Sequence, residues 1–254
     1  MRCIISHIPF EKKHKDSNTM VVFVHGFIGS PNQFTELADI AYKNKCSVLS
    51  ILLPGHGGTT NEFIKFRLND WETHLDNEIH RVSSEYENIF LVGHSIGGLL
   101  SLNISITKKY NIKCIMLIAS PLKIKYSLTN VITGIKLKIY PKSNNEVLEA
   151  YRNSNSVSTS SIFDYIFWLR QGIDVYRLMA KTRQNLSMVT VPITIINSKK
   201  DETVSLKSIK IYKKGLNNAE MKIIVLNESR HAYFTSGDKK IISRELLEFF
   251  DSNA

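Results

Sequence analysis

The sequence predicts an α/β fold: a mostly parallel sheet with helices on both faces. Three observations carry that expectation. Apolar runs, Met20-Val21-Val22-Phe23-Val24 without a break and Ile112 to Ala119 with the single charge of Lys113, read as buried strands. Amphipathic helical patterns alternate with these runs, as crossovers in a parallel sheet require. A G-x-S-x-G, Gly93-His94-Ser95-Ile96-Gly97, joins the strand-like run Asn88–Val92 to a buried helical run from Leu99.

Taken in order, Arg2–Ile8 reads as a first strand and Glu11–Ser17 as a charged turn. The run Met20–Val24 ends in His25-Gly26-Phe27-Ile28-Gly29-Ser30-Pro31. There Ser30 is placed to cap a helix, Asn32–Lys43, that Pro31 opens. Cys46–Leu52 is the next strand and runs into a glycine-rich loop, Leu53–Gly58. Leu68–Ser84 places Trp71, Leu75, Ile79 and Val82 on one helical face. The serine turn and its helix, to Lys109, precede the strand Ile112–Ala119.

The alternation breaks at Ser120-Pro121. Ile124–Ile139 is basic and amphipathic, Asn153–Ser161 is a polar link, and Ile162–Asn185 is one long helical pattern carrying Phe163, Tyr165, Phe167 and Trp168. The pattern then resumes with the strand Val191–Asn197, the helix Leu206–Lys214, the strand Met221–Leu226 and a closing helix, Lys239–Phe250. The domain reading is a core of residues 1–120 and 187–254 interrupted by 121–186. An insertion there lies over the C-terminal ends of the strands, where ligands bind in open α/β sheets, and so reads as a lid.

Composition excludes several classes. The 254 residues suffice for one large domain. No apolar run approaches the ~18 residues of a membrane span, and the N-terminus lacks the pattern of a secretory signal. Three cysteines, Cys3, Cys46 and Cys114, read as free thiols in a reducing cytoplasm. No Cys/His cluster suggests a metal. Net charge is +10, and Pro121–Thr190 alone holds ten Lys and Arg against four Asp and Glu. That charge suits weak contact of the insertion with anionic lipid, an acidic substrate, or a plain solvated face. No nucleic-acid-binding motif accompanies it.

A serine hydroxyl needs a base to attack, and the base needs an acid to orient it. The turn around Ser95 lifts the hydroxyl off the sheet and sets the Ile96 N–H at a helix N-terminus, facing a developing oxyanion. The chain order that goes with this turn is serine, acid, histidine. Of eight histidines only His231 follows the insertion, in the loop after the last strand, which makes it the general base. Asp201 is the first carboxylate in the loop after Val191–Asn197; Glu202 beside it and Glu228 are rivals. The second oxyanion donor is expected on the loop after Met20–Val24, where the Phe27 N–H is the candidate. His25 and His56 read as loop-holding residues and His94 as a packing residue. Phe163, Phe167 and Trp168 are candidates for an acyl pocket, or for packing of insertion on core.

His25-Gly26-Phe27, Gly93-His94-Ser95-Ile96-Gly97-Gly98, Asp201 and His231-Ala232 resemble the α/β-hydrolase superfamily. Within it the His25–Ser30 loop, Pro54-Gly55-His56-Gly57 and a single compact lid look like the small bacterial carboxylesterases and monoacylglycerol lipases. The resemblance covers almost the whole chain in element order. It implies a serine esterase acting through an acyl-enzyme on Ser95, with His231 as base, Asp201 as its partner and Phe27 and Ile96 as oxyanion donors. It further implies a small-molecule ester substrate, no metal and no organic cofactor. The same triad also serves thioester and carbon–carbon bond hydrolases, and some hydrolase-fold proteins are receptors. One departure stands out: the glycine that usually precedes the triad histidine is Arg230 here.

Overall fold

The computed structural model describes residues 6–125, 145–158 and 164–251, the Tyr165 and Asp251 side chains excepted. Among these residues seven strands form one sheet: β1 (Phe10–Lys12), β2 (Thr19–Val24), β3 (Ser47–Ser50), β4 (Asn88–His94), β5 (Ile112–Ile118), β6 (Ile193–Ser198) and β7 (Met221–Leu226). Their order is β1-β3-β2-β4-β5-β6-β7, with β1 antiparallel at the edge and all other pairings parallel. The order reverses at β2, since β3 lies on one side of it and β4 on the other. The crevice at such a switch point, outside the carboxyl ends of the strands, is where this architecture binds ligands.

The edge strand departs from the expected Arg2–Ile8. Ser6–Ile8 carry no strand, residues 2–5 lie outside the described ones, and the pairing falls on Phe10–Lys12. Two of those three residues are charged, which hides a strand from a hydrophobic pattern but suits an edge exposed to water.

Among the described residues the helices are α1 (Thr35–Lys43), α2 (Thr60–Phe63), α3 (Leu68–Ser83), α4 (Ile96–Ile106), α5 (Glu146–Ser154), α6 (Asp164–Phe167), α7 (Leu169–Asn185), α8 (Lys207–Gly215) and α9 (Ser236–Asp251). A 3₁₀ turn, Pro31–Phe34, opens α1; its cap is Ser30, whose hydroxyl accepts the Asn32 N–H at 3.1 Å, as the sequence suggested. The single helix expected over Ile162–Asn185 is instead α6 and α7, separated at Trp168. Helix α5 was not expected. Its N-terminus is set by Asn145, whose side chain accepts from the Val147 and Leu148 N–H groups.

Two cores flank the sheet. On one face Val22, Leu91, Leu117 and Ile195 pack with Trp71, Leu75 and Ile79 of α3, Leu99 and Leu102 of α4, and Leu178 and Met179 of α7. On the other, Val21, Phe23, Phe90, Val92 and Met116 meet Ala38 and Ala41 of α1 and Ile242, Leu246, Phe249 and Phe250 of α9. Cys46 and Cys114 are buried free thiols, and burial pushes both up from their ordinary values.

The described part of the segment between β5 and β6 is fastened to the core by polar contacts of side chains and main chain. Arg67 grips Asp174 with two hydrogen bonds, 2.5 Å and 2.9 Å, and Leu68 N–H adds a third to the same carboxylate. Gln171 donates to the Ile64 and Phe66 carbonyls. Ser156 N–H meets the Ile28 carbonyl at 2.9 Å, and its hydroxyl donates to the Gly29 carbonyl. At the near end Ile124 bridges Val204, and the Lys125 ammonium donates to the Asp201 carbonyl.

Candidate active site

Ser95 ends β4 and precedes α4 in a backbone conformation that side chains rarely adopt, φ 54° and ψ −123°. Such a conformation costs about 1–3 kcal/mol and persists only where its surroundings impose it. Here they do. The Ser95 N–H donates to the Ile118 carbonyl at 2.9 Å. A Cβ on Gly97 would stand 2.0 Å from the Val24 carbonyl oxygen, and one on Gly93 would stand 2.4 Å from Gly98. Both glycines are therefore demanded by close backbone approach. The turn brings the serine beside the end of β2, since Val24 pairs with Gly93.

Three side chains meet there. His231 Nε2 lies 3.2 Å from Ser95 Oγ, and His231 Nδ1 lies 3.0 Å from Asp201 Oδ2. The other Asp201 oxygen accepts the Thr203 and Val204 N–H groups, each at 2.7 Å, so the carboxylate is fully engaged. Burial opposes charge on both partners. The Asp201–His231 attraction outweighs it, holding the carboxyl below its usual range and the imidazole above its own. A 3.2 Å serine contact is ordinary for such a pair before substrate arrives.

The oxyanion candidates lie on either side of Ser95. Ile96 supplies the first N–H of α4, which has no partner inside the helix. The Phe27 N–H belongs to the Gly26–Phe27 peptide. Its carbonyl is held by His25 Nδ1 and by Gly29 N–H, each at 2.9 Å. In a planar trans peptide the N–H points opposite to the carbonyl, so these two bonds orient the Phe27 donor. His25 Nε2 accepts the Leu53 N–H at 3.0 Å, and His56 Nε2 donates to the Phe27 carbonyl at 2.6 Å. Burial lowers both histidines, most strongly His25, and neither has an acidic partner. They hold loops, as expected.

His94 packs against His231, ring centroids 4.9 Å apart, and donates from Nε2 to the His231 carbonyl at 2.8 Å. Burial, reinforced by the neighbouring imidazole, lowers His94 to about 3. Arg230 is absorbed without strain. It is absent from the left-handed residues, and its N–H donates to the Tyr233 carbonyl at 2.8 Å, so this turn does not need glycine.

The aromatic candidates divide. Trp168 is buried, with its ring centroid 6.4 Å from Phe27 and 5.5 Å from Phe63. Phe167 is 57% exposed on the outer surface of the inserted segment, and Phe163 lies outside the described residues. Phe63, and Trp71 from the expected buried face of α3, join Phe27 and Trp168 in one cluster that the sequence pattern did not bring together. Among the described residues no group of three or more His, Cys, Asp or Glu is arranged to hold a metal.

Fold and site together define a serine hydrolase of the α/β-hydrolase fold. Residues 15–238 match the family described as Hydrolase_4, serine aminopeptidase S33, and the chain belongs to that family. It is similar to a thermostable monoacylglycerol lipase of Bacillus sp. (strain H-257), 27% identical over 92% of this chain and 91% of that one. It is also similar to a carboxylesterase of Bacillus subtilis (strain 168), 21% identical over 98% of both. A solved structure of one of the metagenome-derived lipolytic enzymes LipS and LipT shares the fold, with TM-score 0.77 and 20% identity over 97% of this chain and 98% of that one.

Proposed function

We propose that this hydrolase cleaves carboxylic esters, short- to medium-chain acyl esters or monoacylglycerols, through an acyl-enzyme on Ser95. The observation that carries the reading is one imidazole joining Ser95 Oγ and the Asp201 carboxylate at 3.2 Å and 3.0 Å. The named lipase and carboxylesterase relatives support the substrate class. His231 takes the Ser95 proton as the oxygen attacks the ester carbonyl. Asp201 holds the imidazole tautomer and stabilises the imidazolium. The Phe27 and Ile96 N–H groups receive the oxyanion, each worth about 10²–10³ in rate. The alcohol leaves with the proton from His231. Water, deprotonated by His231, then releases the acid. Residues 121–186 act as the lid, and Trp168 against Phe27 forms one wall of the acyl pocket.

Hydrolysis of p-nitrophenyl esters from acetate to palmitate, with Ser95→Ala as control, tests this. The expected result is a serine-dependent rate peaking at short or medium chains, with Ser95→Ala lower by about 10⁶. An alanine p-nitroanilide and an acyl thioester run alongside. A serine-dependent rate on either, with none on any ester, overturns the ester reading.

The lid's outer face supports a second element: weak, reversible contact with anionic lipid. Leu169, Ile173 and Tyr176 are 63%, 52% and 46% exposed and follow one helical stripe of α7. Arg170, Arg177 and Lys181 are exposed along its flank. An apolar stripe beside cations fits an anionic bilayer, whereas a second copy of this basic face would be repelled. Vesicle sedimentation should rise with phosphatidylglycerol content and fall several-fold in Leu169→Ser/Ile173→Ser. Binding that stays flat across that content removes the surface. No described helix is long and apolar enough to cross a membrane. The buried free thiols Cys46 and Cys114 support a cytoplasmic location.

A further inference from the structure

A second carboxylate faces the histidine. Glu202 is 8% exposed, directly after Asp201 in the chain. The turn that Asp201 closes with the Thr203 and Val204 N–H groups wraps around residue 202 and fixes its direction. Glu202 Oε2 accepts the main-chain N–H of His231 at 3.3 Å. Its other oxygen, Oε1, is buried without a hydrogen-bond partner. Each polar group of His231 is thereby engaged. Nδ1 meets Asp201, Nε2 meets Ser95, the main-chain N–H meets Glu202 and the carbonyl meets His94 Nε2.

We propose that Glu202 is a positioning residue for His231. Its carboxylate fixes the main chain of the histidine and sets a second negative charge against the imidazolium that forms during acylation. A buried carboxylate with one unpartnered oxygen is costly for folding alone. It becomes useful where a positive charge appears beside it in each half of the cycle. Glu202 acts through His231 and touches no reacting atom. The charge works in both directions: it strengthens the imidazole as a base and opposes the oxyanion at Ser95. Its net effect is therefore on the pH at which the base is free, more than on the limiting rate.

The titratable neighbours of His231 are few enough for a clean test. Asp201 and Glu202 face it from the acid loop. His94, from the end of β4, is neutral, its value lowered to about 3 chiefly by burial. Arg230 precedes it in the chain, and the Lys125 ammonium reaches the Asp201 carbonyl. Among these, Glu202 is the one carboxylate besides Asp201 that raises His231.

The proposal rests on His231 being the base, so its test includes a readout independent of turnover. The His231 ring is titrated by NMR in wild type, Glu202→Gln and Glu202→Ala, and kcat/KM for a soluble ester is followed against pH. Gln keeps the shape and an acceptor for the His231 N–H while removing the charge. The expected result is a fall of about half a pH unit or more in the His231 midpoint in Glu202→Gln, matched by the acid limb of kcat/KM. KM should be unchanged, and Glu202→Ala should lose more kcat than Glu202→Gln. In an Asp201→Asn background, Glu202→Gln should lower the His231 midpoint further, because the remaining charge is gone. An unmoved NMR midpoint with equal losses in Gln and Ala overturns the proposal and leaves Glu202 a packing residue. A moved midpoint without any serine-dependent hydrolysis upholds the placement of Glu202 and rejects the ester reading.

Discussion

The turn around Ser95 and the segment between β5 and β6 differ in how much of their hold depends on single polar side chains. The turn is fixed by main-chain contacts that admit no side chain at Gly93 or Gly97, and by one bond from Ser95 N–H to Ile118. The described part of the segment adds to its apolar packing and to main-chain bonds at Ser156 and Ser158 a set of side chains reaching across the chain: Arg67 to Asp174, Gln171 to the Ile64 and Phe66 carbonyls, Ser156 to Gly29. Backbone packing gives Ser95 a geometry that no single polar substitution removes. Polar tethers give the segment a geometry that one substitution can loosen. The proposed roles call for that difference: a stationary nucleophile beneath a lid that admits substrate and releases product.

That contrast can be broken from either side. The largest expected effect is at the core: Asp201→Asn should lower kcat by about 10³–10⁴ while leaving thermal stability almost unchanged, because the histidine keeps its place but loses its oriented tautomer. Steady-state kinetics beside a melting curve checks both halves. A smaller effect of the opposite kind is expected at the tether. Asp174 is 3% exposed while the Arg67 side chain is a third exposed, so water takes part of the place of a lost partner. Asp174→Asn should cost about 1–2 kcal/mol of stability, read from denaturant unfolding, with residual activity on the smallest soluble ester. If Asp174→Asn instead abolishes turnover without lowering stability, the segment is part of the catalytic machinery and the contrast fails.

Acid sharpens the same comparison by a smaller margin. Burial pushes the Asp174 carboxyl up, but Arg67, Leu68 N–H and Arg177 more than offset it and hold the value below the usual range. A group depressed in the folded state contributes stability above its unfolded value and loses it as pH falls through the folded one. The stability gap between wild type and Asp174→Asn should therefore be full near neutrality and close on the acid side. A gap that is constant down to strong acid would mean that the ion pair contributes nothing.

The parts of the molecule that sequence made legible are those where one local pattern determines the outcome. Gly93-His94-Ser95-Ile96-Gly97 between two apolar runs has one backbone solution, and His231 was the histidine left after the insertion. Asp201 followed from its place after β6. Edge strand β1 escaped because its pairing is with β3, and two of its three residues are charged. Helix α5 escaped because it is short, nine residues with Leu148 and Tyr151 as its buried apolar pair, and follows a polar stretch. The Arg67–Asp174 tether and the Glu202 contact with the His231 main chain join residues 107 and 29 positions apart, so no window along the chain contains either. For Glu202 the sequence offered only its adjacency to Asp201, which made it a rival for the acid rather than a partner to it.

The most direct measurement is labelling with a fluorophosphonate probe, followed by mass spectrometry of the modified peptide. The account predicts one adduct, on Ser95, formed rapidly in wild type, slowly in Asp201→Asn and not at all in His231→Ala. An adduct on another residue, or undiminished labelling of Ser95 in His231→Ala, would contradict it.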